Sequence, residues 1–452
     1  MARKFYVETS GCQMNYHDSE RIAGLLERDG LEVVTREDEA DVVVLNTCSV
    51  RERGEDKLYS RLGELREMAR ERASDPIVVV AGCVAQQEGD RLLKRDASID
   101  VIVGTQRLKQ LPDLVRQATE RARPVVDISP FDDVSFPLGV VKHSDPVRAW
   151  VTIIEGCNEF CSFCVVPYTR GHERMRPVAD ILRDVAAAVQ TGRSEIQLLG
   201  QIVNHYQAPD DAMCDFTELL ARVSDIPGVR RLRFASPHPR HVNDRLIEAI
   251  RDLGPVCKHL HLPVQSGSNK VLSAMRRRYS REEYLDLLER LRARVPGIAV
   301  STDMIVGFHG ESAEDFELTL DLIRRAQFLS MYSFKYSSRP GTLAGKRLPD
   351  DVPEAEKTAR IVALQRLQGD VQMALFAGMV GQVQDVLIDG VSRRREWEVT
   401  GRTSGNTVVN LAGTPDFIGQ ILPVRITGHG PNSLRGDLLV AAAATKEPTD
   451  AG

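Results

Sequence analysis

The chain reads as an α/β protein in three parts: an open parallel α/β sheet, then a partial (β/α)6 barrel, then a small all-β barrel. Three observations predict this. The short β-branched runs "KFYVET", "DVVVLN" and "PIVVVA" alternate with helical stretches near the amino end, as buried parallel strands do. Six further strand–helix units follow from Ala149. After about Gly378 the pattern turns to strands joined by Asp-Gly and Ser-Gly-Asn turns.

The bulk properties agree. A chain of 452 residues exceeds one ordinary core. With 27% charged and 42% hydrophobic residues it has the mix of a globular enzyme, and no apolar run is long enough to cross a bilayer. The start "MARKFYVETSGC" holds no signal-peptide core, so a cytoplasmic location is expected. In that reducing compartment eight cysteines are thiols or metal ligands, not disulfides. A net charge of −5 argues against non-specific coating of nucleic acid and leaves room for local basic patches.

Taken in order, the first part spans 1–122, with four or five strands. Helices are predicted at "SERIAGLLERDG", with Gly30 as C-cap, at "DKLYSRLGELREMARER", and from Leu108 to about Ala122. The proline-rich segment 123–148 reads as a linker. The barrel part, 149–376, has strands "AWVTII", "EIQLLG", "RLRFAS", "HLHLPV", "IAVSTDMIVG" and "SMYSFKYS". Helices are expected from Pro177, Asp215, His241, Ser280, Ser312 and Pro353. Pro177 suits a first turn, and "SREE" at Ser280 fits a capping box. Residues 377–442 form the all-β part, in the size range of nucleic-acid-binding barrels, and 443–452 a disordered tail.

Cys157, Cys161 and Cys164 lie on a loop leaving a strand, at spacing C-x-x-x-C-x-x-C. Thiolates this close can cap three corners of an iron–sulfur cube and leave the fourth iron open to a small molecule. The competing reading is structural zinc, with His172 as a fourth ligand. Cys12, Cys48 and Cys83 each fall just past a predicted parallel strand, in "YVETSGC", "VVLNTCS" and "VVVAGCV". In an open α/β sheet such ends share one edge, so these three should converge. The bland reading is three inert core cysteines. Cys214 and Cys257 have no such context and read as structural.

The segments "GCQMNYHDSE", "NTCSVRE", "GCVAQQ", "EGCNEFCSFCVVPYTRGHE", "LPVQSGSNKVLSAMRRRY" and "YSSRPGT" resemble the radical S-adenosylmethionine methylthiotransferases. The resemblance covers nearly all of residues 3–440. "CQMN" and "VVPYTRG" match the branch that acts on isopentenyladenosine in tRNA, not the branch that modifies a ribosomal-protein aspartate. Three positions depart from the usual pattern: Ile202 stands where Asn is usual, His309 where Pro is usual, and Met175 where Ser is common.

The resemblance implies two 4Fe-4S clusters, on Cys12, Cys48 and Cys83 and on Cys157, Cys161 and Cys164, with two S-adenosylmethionines per turnover. It implies methylthiolation of carbon 2 of N6-isopentenyladenosine at tRNA position 37, and a TRAM-like, RNA-binding final barrel. The tRNA anticodon stem-loop, a small-protein electron donor and a sulfur source are the implied partners of a monomer with no membrane contact. No acid–base residue is expected to be catalytic, because the cofactors carry the chemistry. Strand-end position in the barrel selects Gln201, Ser236, Gln265, Ser266 and Asp303 as cofactor contacts, against a plain turn or capping role. Arg170, Arg174 and Arg176, Arg276, Arg277 and Arg278, and Arg393, Arg394 and Arg395 are candidate RNA contacts, against a solvated surface. Competing functions are methylthiolation of threonylcarbamoyl-adenosine in tRNA or of a ribosomal-protein aspartate, and a non-catalytic iron–sulfur or zinc RNA-binding module.

Overall fold

The computed structural model describes residues 3–48, 53–70, 75–121, 123–130, 141–392, 395 and 397–439. The expected tail at 443–452, and Arg393 and Arg394, lie outside the described residues. Six parallel strands form the first sheet: β1 (Lys4–Ser10), β2 (Glu32–Val33), β3 (Val42–Thr47), β4 (Ile77–Gly82), β5 (Val101–Val103) and β6 (Val125–Asp127). Their spatial order is β2-β1-β3-β4-β5-β6. Val44 pairs with Val7 on one side and Val79 on the other. Every residue of β3 is buried, because helices cover both faces. Ile22 and Leu26 with Leu111 and Val115 pack on one face, Leu58, Leu62 and Leu65 on the other. That double burial is why these strands read as unbroken β-branched runs. The two strands beyond expectation, β2 and β6, are edge strands of two and three residues. They are too short to leave a periodic signal, and β6 lies inside the segment read as linker.

The middle part opens with β7 (Arg148–Thr152), followed by a short hairpin of β8 (Ile154–Glu155) and β9 (Arg174–Met175). Then come β10 (Glu195–Leu199), β11 (Arg231–Phe234), β12 (His259–His261), β13 (Ala299–Val306) and β14 (Ser330–Lys335). β7, β10 and β11 form one parallel group and β12, β13 and β14 another. A parallel bridge from Leu232 to Val256 links the groups. The caps do what the sequence asks of them. Asp215 accepts from the Glu218 amide, and Ser280 and Ser312 each make a full capping box. One start differs: helix Asp244–Asp252 is capped by Asn243, and His241 instead ends a 3-10 turn.

The last part is a closed barrel of β15 (Val383–Val391), β16 (Glu398–Thr403), β17 (Val408–Ala412), β18 (Ile421–His429) and β19 (Leu434–Leu438), in the order β15-β16-β17-β19-β18. Helix Glu354–Met379 joins it to the middle part and belongs to both cores. Leu364 and Val371 pack into the β/α core, while Phe376 packs with Val386, Val399 and Val424 of the small barrel.

A second attachment is polar. Arg231 and Arg233 reach the small barrel from the inner face of β11. Arg231 donates to the carbonyls of Asp385 (2.7 Å) and Arg402, and Arg233 to those of Thr403 (2.8 Å) and Ser404 (3.0 Å). Glu195 binds Arg233 (2.8 Å) and Arg148 (2.6 Å) behind them. A guanidinium fork satisfies several carbonyls at once, which suits it to this buried position.

Candidate active site

β1, β3 and β4 are neighbours, so the residues that follow them share one sheet edge. Cys12 caps helix Gln13–Arg28, Cys48 follows β3, and Cys83 opens the helix after β4. The three thiols meet there. Cys48 shares hydrogen bonds with both Cys12 and Cys83, and all three cysteines are free. Those bonds lower Cys12 to about 6 and Cys83 to about 7, with Arg170 adding to both shifts, while Cys48 is pushed up and keeps its proton. Three thiols gathered at one edge, Cys48 and Cys83 buried and Cys12 exposed, two of them with lowered pKa, fit a thiolate-binding metal cluster.

Gly11 makes the approach possible. Its φ is +142°, and a Cβ there would lie 2.3 Å from Cys48 Cβ. A pair of asparagines, Asn15 and Asn46, holds the edge. Asn15 Nδ2 donates to Asn46 Oδ1 and the Thr47 carbonyl, each at 3.1 Å, and Asn46 Nδ2 to the Asn15 carbonyl at 2.8 Å. Cys12 Sγ lies 3.2 Å from Asn15 Oδ1. Sequence reasoning did not single out these asparagines; their shared signal is placement beside two of the cysteines.

The other cysteine set lies on the loop between β8 and β9. Gly156 has φ +83°, and a Cβ on it would come within 2.0 Å of the His172 carbonyl. Cys157 is buried, and Cys161 and Cys164 are half-buried. Burial pushes the Cys157 and Cys164 thiols up to about 12. A bound cation would offset that cost by favouring the thiolates, so this loop, too, can hold a metal cluster. His172 is exposed, with Nδ1 3.0 Å from Asn158 Oδ1 and its ring against Phe160.

Buried ion pairs fix one cysteine set against the other. Arg21 Nη1 binds Glu155 at 2.6 Å, and Arg170 Nη2 binds Asp18 at 2.7 Å. Both join helix Gln13–Arg28 to the hairpin that carries the second set. Gln13 also accepts from Gln197 at 3.1 Å, on the inner face of β10.

The arginine runs sort by burial. Arg170, Arg176 and Arg277 are 5%, 4% and 6% exposed, which corrects their assignment to an RNA-facing surface. Arg170 pairs with Asp18, and Arg176 pairs with Asp184 and the Thr152 carbonyl. Arg277 donates to Cys161 Sγ at 3.3 Å. Arg174 is half-buried, while Arg276, Arg278 and Arg395 are exposed. Arg276, Arg278 and Tyr279 line an open surface cavity of about 530 Å³ with Asn269, Ser273 and Ser280.

Among the expected cofactor contacts, Ser266 is fully buried. Its hydroxyl accepts from the Ser268 amide (3.2 Å) and lies 3.5 Å from Thr319 Oγ1. Gln201 Oε1 is buried without a hydrogen-bond partner. Ser236 and Gln265 have φ of +59° and +79°, the kind of backbone strain that gathers at ligand sites. Asp303 lies 3.3 Å from His261 Nε2.

Glu159, His238 and His241 also come together, with ligand atoms within 4.8 Å of one another. They suit a divalent cation poorly. Burial lowers His238 to about 2, and its Nδ1 accepts from the Arg240 amide, so Nε2 carries the proton. Arg240 and Arg278 already lie 3.5 and 3.8 Å from Glu159.

Family models match along the chain: Uncharacterized protein family UPF0004 over residues 4–104, the Radical SAM superfamily over 151–323 and the TRAM domain over 378–439. The tRNA-2-methylthio-N(6)-dimethylallyladenosine synthase of Syntrophotalea carbinolica is 43% identical, covering 96% of this chain and 99% of its own. Those of Methylococcus capsulatus and Neisseria meningitidis are each 44% identical, covering 98% and 97% of this chain and 97% and 100% of their own. Among solved structures, the radical S-adenosylmethionine methyltransferase TsrM from Kitasatospora setae aligns with a TM-score of 0.58 at 15% identity, over 76% of this chain and 77% of that one. The cobalamin-dependent S-adenosylmethionine radical enzyme OxsB gives 0.53 at 12% identity, over 81% and 56%. These two share the fold. No helix among the described residues is long and apolar enough to cross a membrane. With relatives this similar over nearly their full length, the chain belongs to the tRNA-2-methylthio-N(6)-dimethylallyladenosine synthase family.

Proposed function

We propose that the protein methylthiolates carbon 2 of N6-isopentenyladenosine at position 37 of tRNA, using one iron–sulfur cluster on each cysteine set. The observation that carries this reading is the amino-terminal set: Cys12, Cys48 and Cys83 converge at one sheet edge, pinned by Arg21–Glu155 and Arg170–Asp18 to the hairpin bearing Cys157, Cys161 and Cys164. When bound, a 4Fe-4S cluster with S-adenosylmethionine supplies one-electron cleavage of a sulfonium bond, which opens an adenine C–H bond to chemistry that no acid or base performs.

The chain's own residues bind, orient and exclude water. Cys157, Cys161 and Cys164 would hold the cluster that binds S-adenosylmethionine, and Cys12, Cys48 and Cys83 the cluster that would supply sulfur chemistry. Gln201, Ser236 and Gln265, past barrel strand ends, and Asp303, inside β13 and not at its end as expected, orient S-adenosylmethionine; the unpartnered Gln201 Oε1 is free to accept from a ligand N–H or O–H. Exposed Arg276 and Arg278, beside the cavity near the second set, contact phosphates of the anticodon stem-loop, and Arg395 of the final barrel, 5.3 Å over the Trp397 ring, extends that path. A small-protein electron donor and a sulfur source complete the cycle of a monomeric, cytoplasmic enzyme.

Nucleoside mass spectrometry of tRNA from a deletion strain tests this. The methylthiolated isopentenyladenosine should vanish, isopentenyladenosine should accumulate, and the gene should restore the product. An unchanged methylthio nucleoside, or loss of the threonylcarbamoyl product instead, would refute it.

A further inference from the structure

Eight arginines among those described are buried: six of them pair with a carboxylate, Arg231 grips only main-chain carbonyls, and Arg277 differs from both in bonding a cysteine sulfur. Arg21 pairs with Glu155, Arg170 with Asp18, Arg176 with Asp184 and Arg360 with Glu311. Arg277 has no carboxylate among its hydrogen-bond partners. Nε donates to Tyr279 Oη at 3.0 Å, Nη2 to the Pro263 carbonyl at 2.9 Å and Nη1 to Cys161 Sγ at 3.3 Å. It is 6% exposed, and a guanidinium keeps its charge inside a protein. A buried cation without a counter-charge is costly, and a Cys161 sulfur that holds a metal cluster would supply that charge as a bound thiolate.

The backbone is bent to put it there. Arg276 and Arg278 have φ of +60° and +57°, both in the left-handed region that side chains avoid. The two bends turn Arg277 inward while its neighbours stay exposed. Tyr279 then locks the guanidinium from its other side, its hydroxyl donating to the Val264 carbonyl at 2.9 Å.

We propose that Arg277 is a redox-positioning residue: its guanidinium hydrogen-bonds the Cys161 sulfur and sets how readily an iron–sulfur cluster on Cys157, Cys161 and Cys164 accepts an electron. An N–H···S bond and a fixed positive charge draw electron density from a ligating thiolate. They favour the reduced, more negative state of the cluster and so raise its potential. The inference rests on the cluster assignment made above, and needs neither tRNA nor turnover to be examined.

The test is a potentiometric titration of the full-length, anaerobically reconstituted protein, followed by electron paramagnetic resonance of the signal that S-adenosylmethionine perturbs. In R277M, with iron content unchanged, the reduced fraction at a fixed potential should fall about tenfold, a midpoint lower by about 59 mV for a one-electron couple. R277K keeps the charge but cannot span Tyr279, Pro263 and Cys161 together, so its fall should be about threefold in the same direction. If R277M does not retain iron, R277K alone decides the matter. An unchanged midpoint in the variants that hold iron overturns the proposal. A wild-type protein with no S-adenosylmethionine-responsive signal would overturn the cluster assignment instead.

Discussion

Gly11 occupies a position that no other residue fills without moving a cysteine. Its Cβ-less backbone at φ +142° lets Cys12 and Cys48 stand side by side. Gly11→Ala should cost about 1–3 kcal/mol in backbone strain and open the first cysteine set. Iron per reconstituted chain should drop from about eight to about four, with reductive cleavage of S-adenosylmethionine retained. Iron assay and cleavage assay together check it. The cysteines were legible from sequence because type and strand-end position coincide. The buried arginines were not. Arg170 answers to Asp18, 152 residues away, and Arg277 to Cys161, 116 residues away. A run of arginines looks solvated until such partners are known.

At the scale of elements, periodicity and caps carried most of the information. Strands β1, β3 and β4, the capping box at Ser280, the helix start at Ser312 and the six barrel strands follow from residue patterns that report burial and capping directly. Helix Glu354–Met379 carries a further property, shared ownership by two cores. Phe376 is 3% exposed in the core of the final barrel, and Phe376→Ala should remove about 3–5 kcal/mol. Because one rigid helix spans both cores, thermal unfolding of this variant should shift as a single transition. A separate early melt of the small barrel would show the two cores to be independent. The edge strands β2 and β6 escaped the sequence because two or three residues cannot express a period.

For the whole molecule, the three parts were legible and their docking was not. The charges on β7, β10 and β11 point inward, and only the assembled barrel shows why. Glu195 lies between Arg148 and Arg233. These two guanidiniums overcome the cost of its burial and hold its carboxyl at about 2, against an ordinary 4.5. The sign follows from linkage. A depressed folded-state pKa adds stability that is complete above about 4.5 and is lost as pH falls toward about 2. At about 1.4 kcal/mol per pKa unit, the contribution is on the order of 3 kcal/mol. Glu195→Gln should be destabilised by about 3–5 kcal/mol at neutral pH, since two buried cations lose their counter-charge. Denaturant melts at pH 7 and at pH 3 check this: the gap between wild type and variant should narrow at the lower pH.

The forks of Arg231 and Arg233 grip main-chain carbonyls of Asp385, Arg402, Thr403 and Ser404. Every amino acid offers the same carbonyl, so these four contacts do not inspect the side chains of the guest, unlike the Lys258 amide on Ser404 Oγ and Arg148 beside Asp389. Over evolutionary time the terminal barrel can change its surface, and with it its preference among RNAs, without losing its seat. Recombination could even trade it between relatives, provided the strands keep their path.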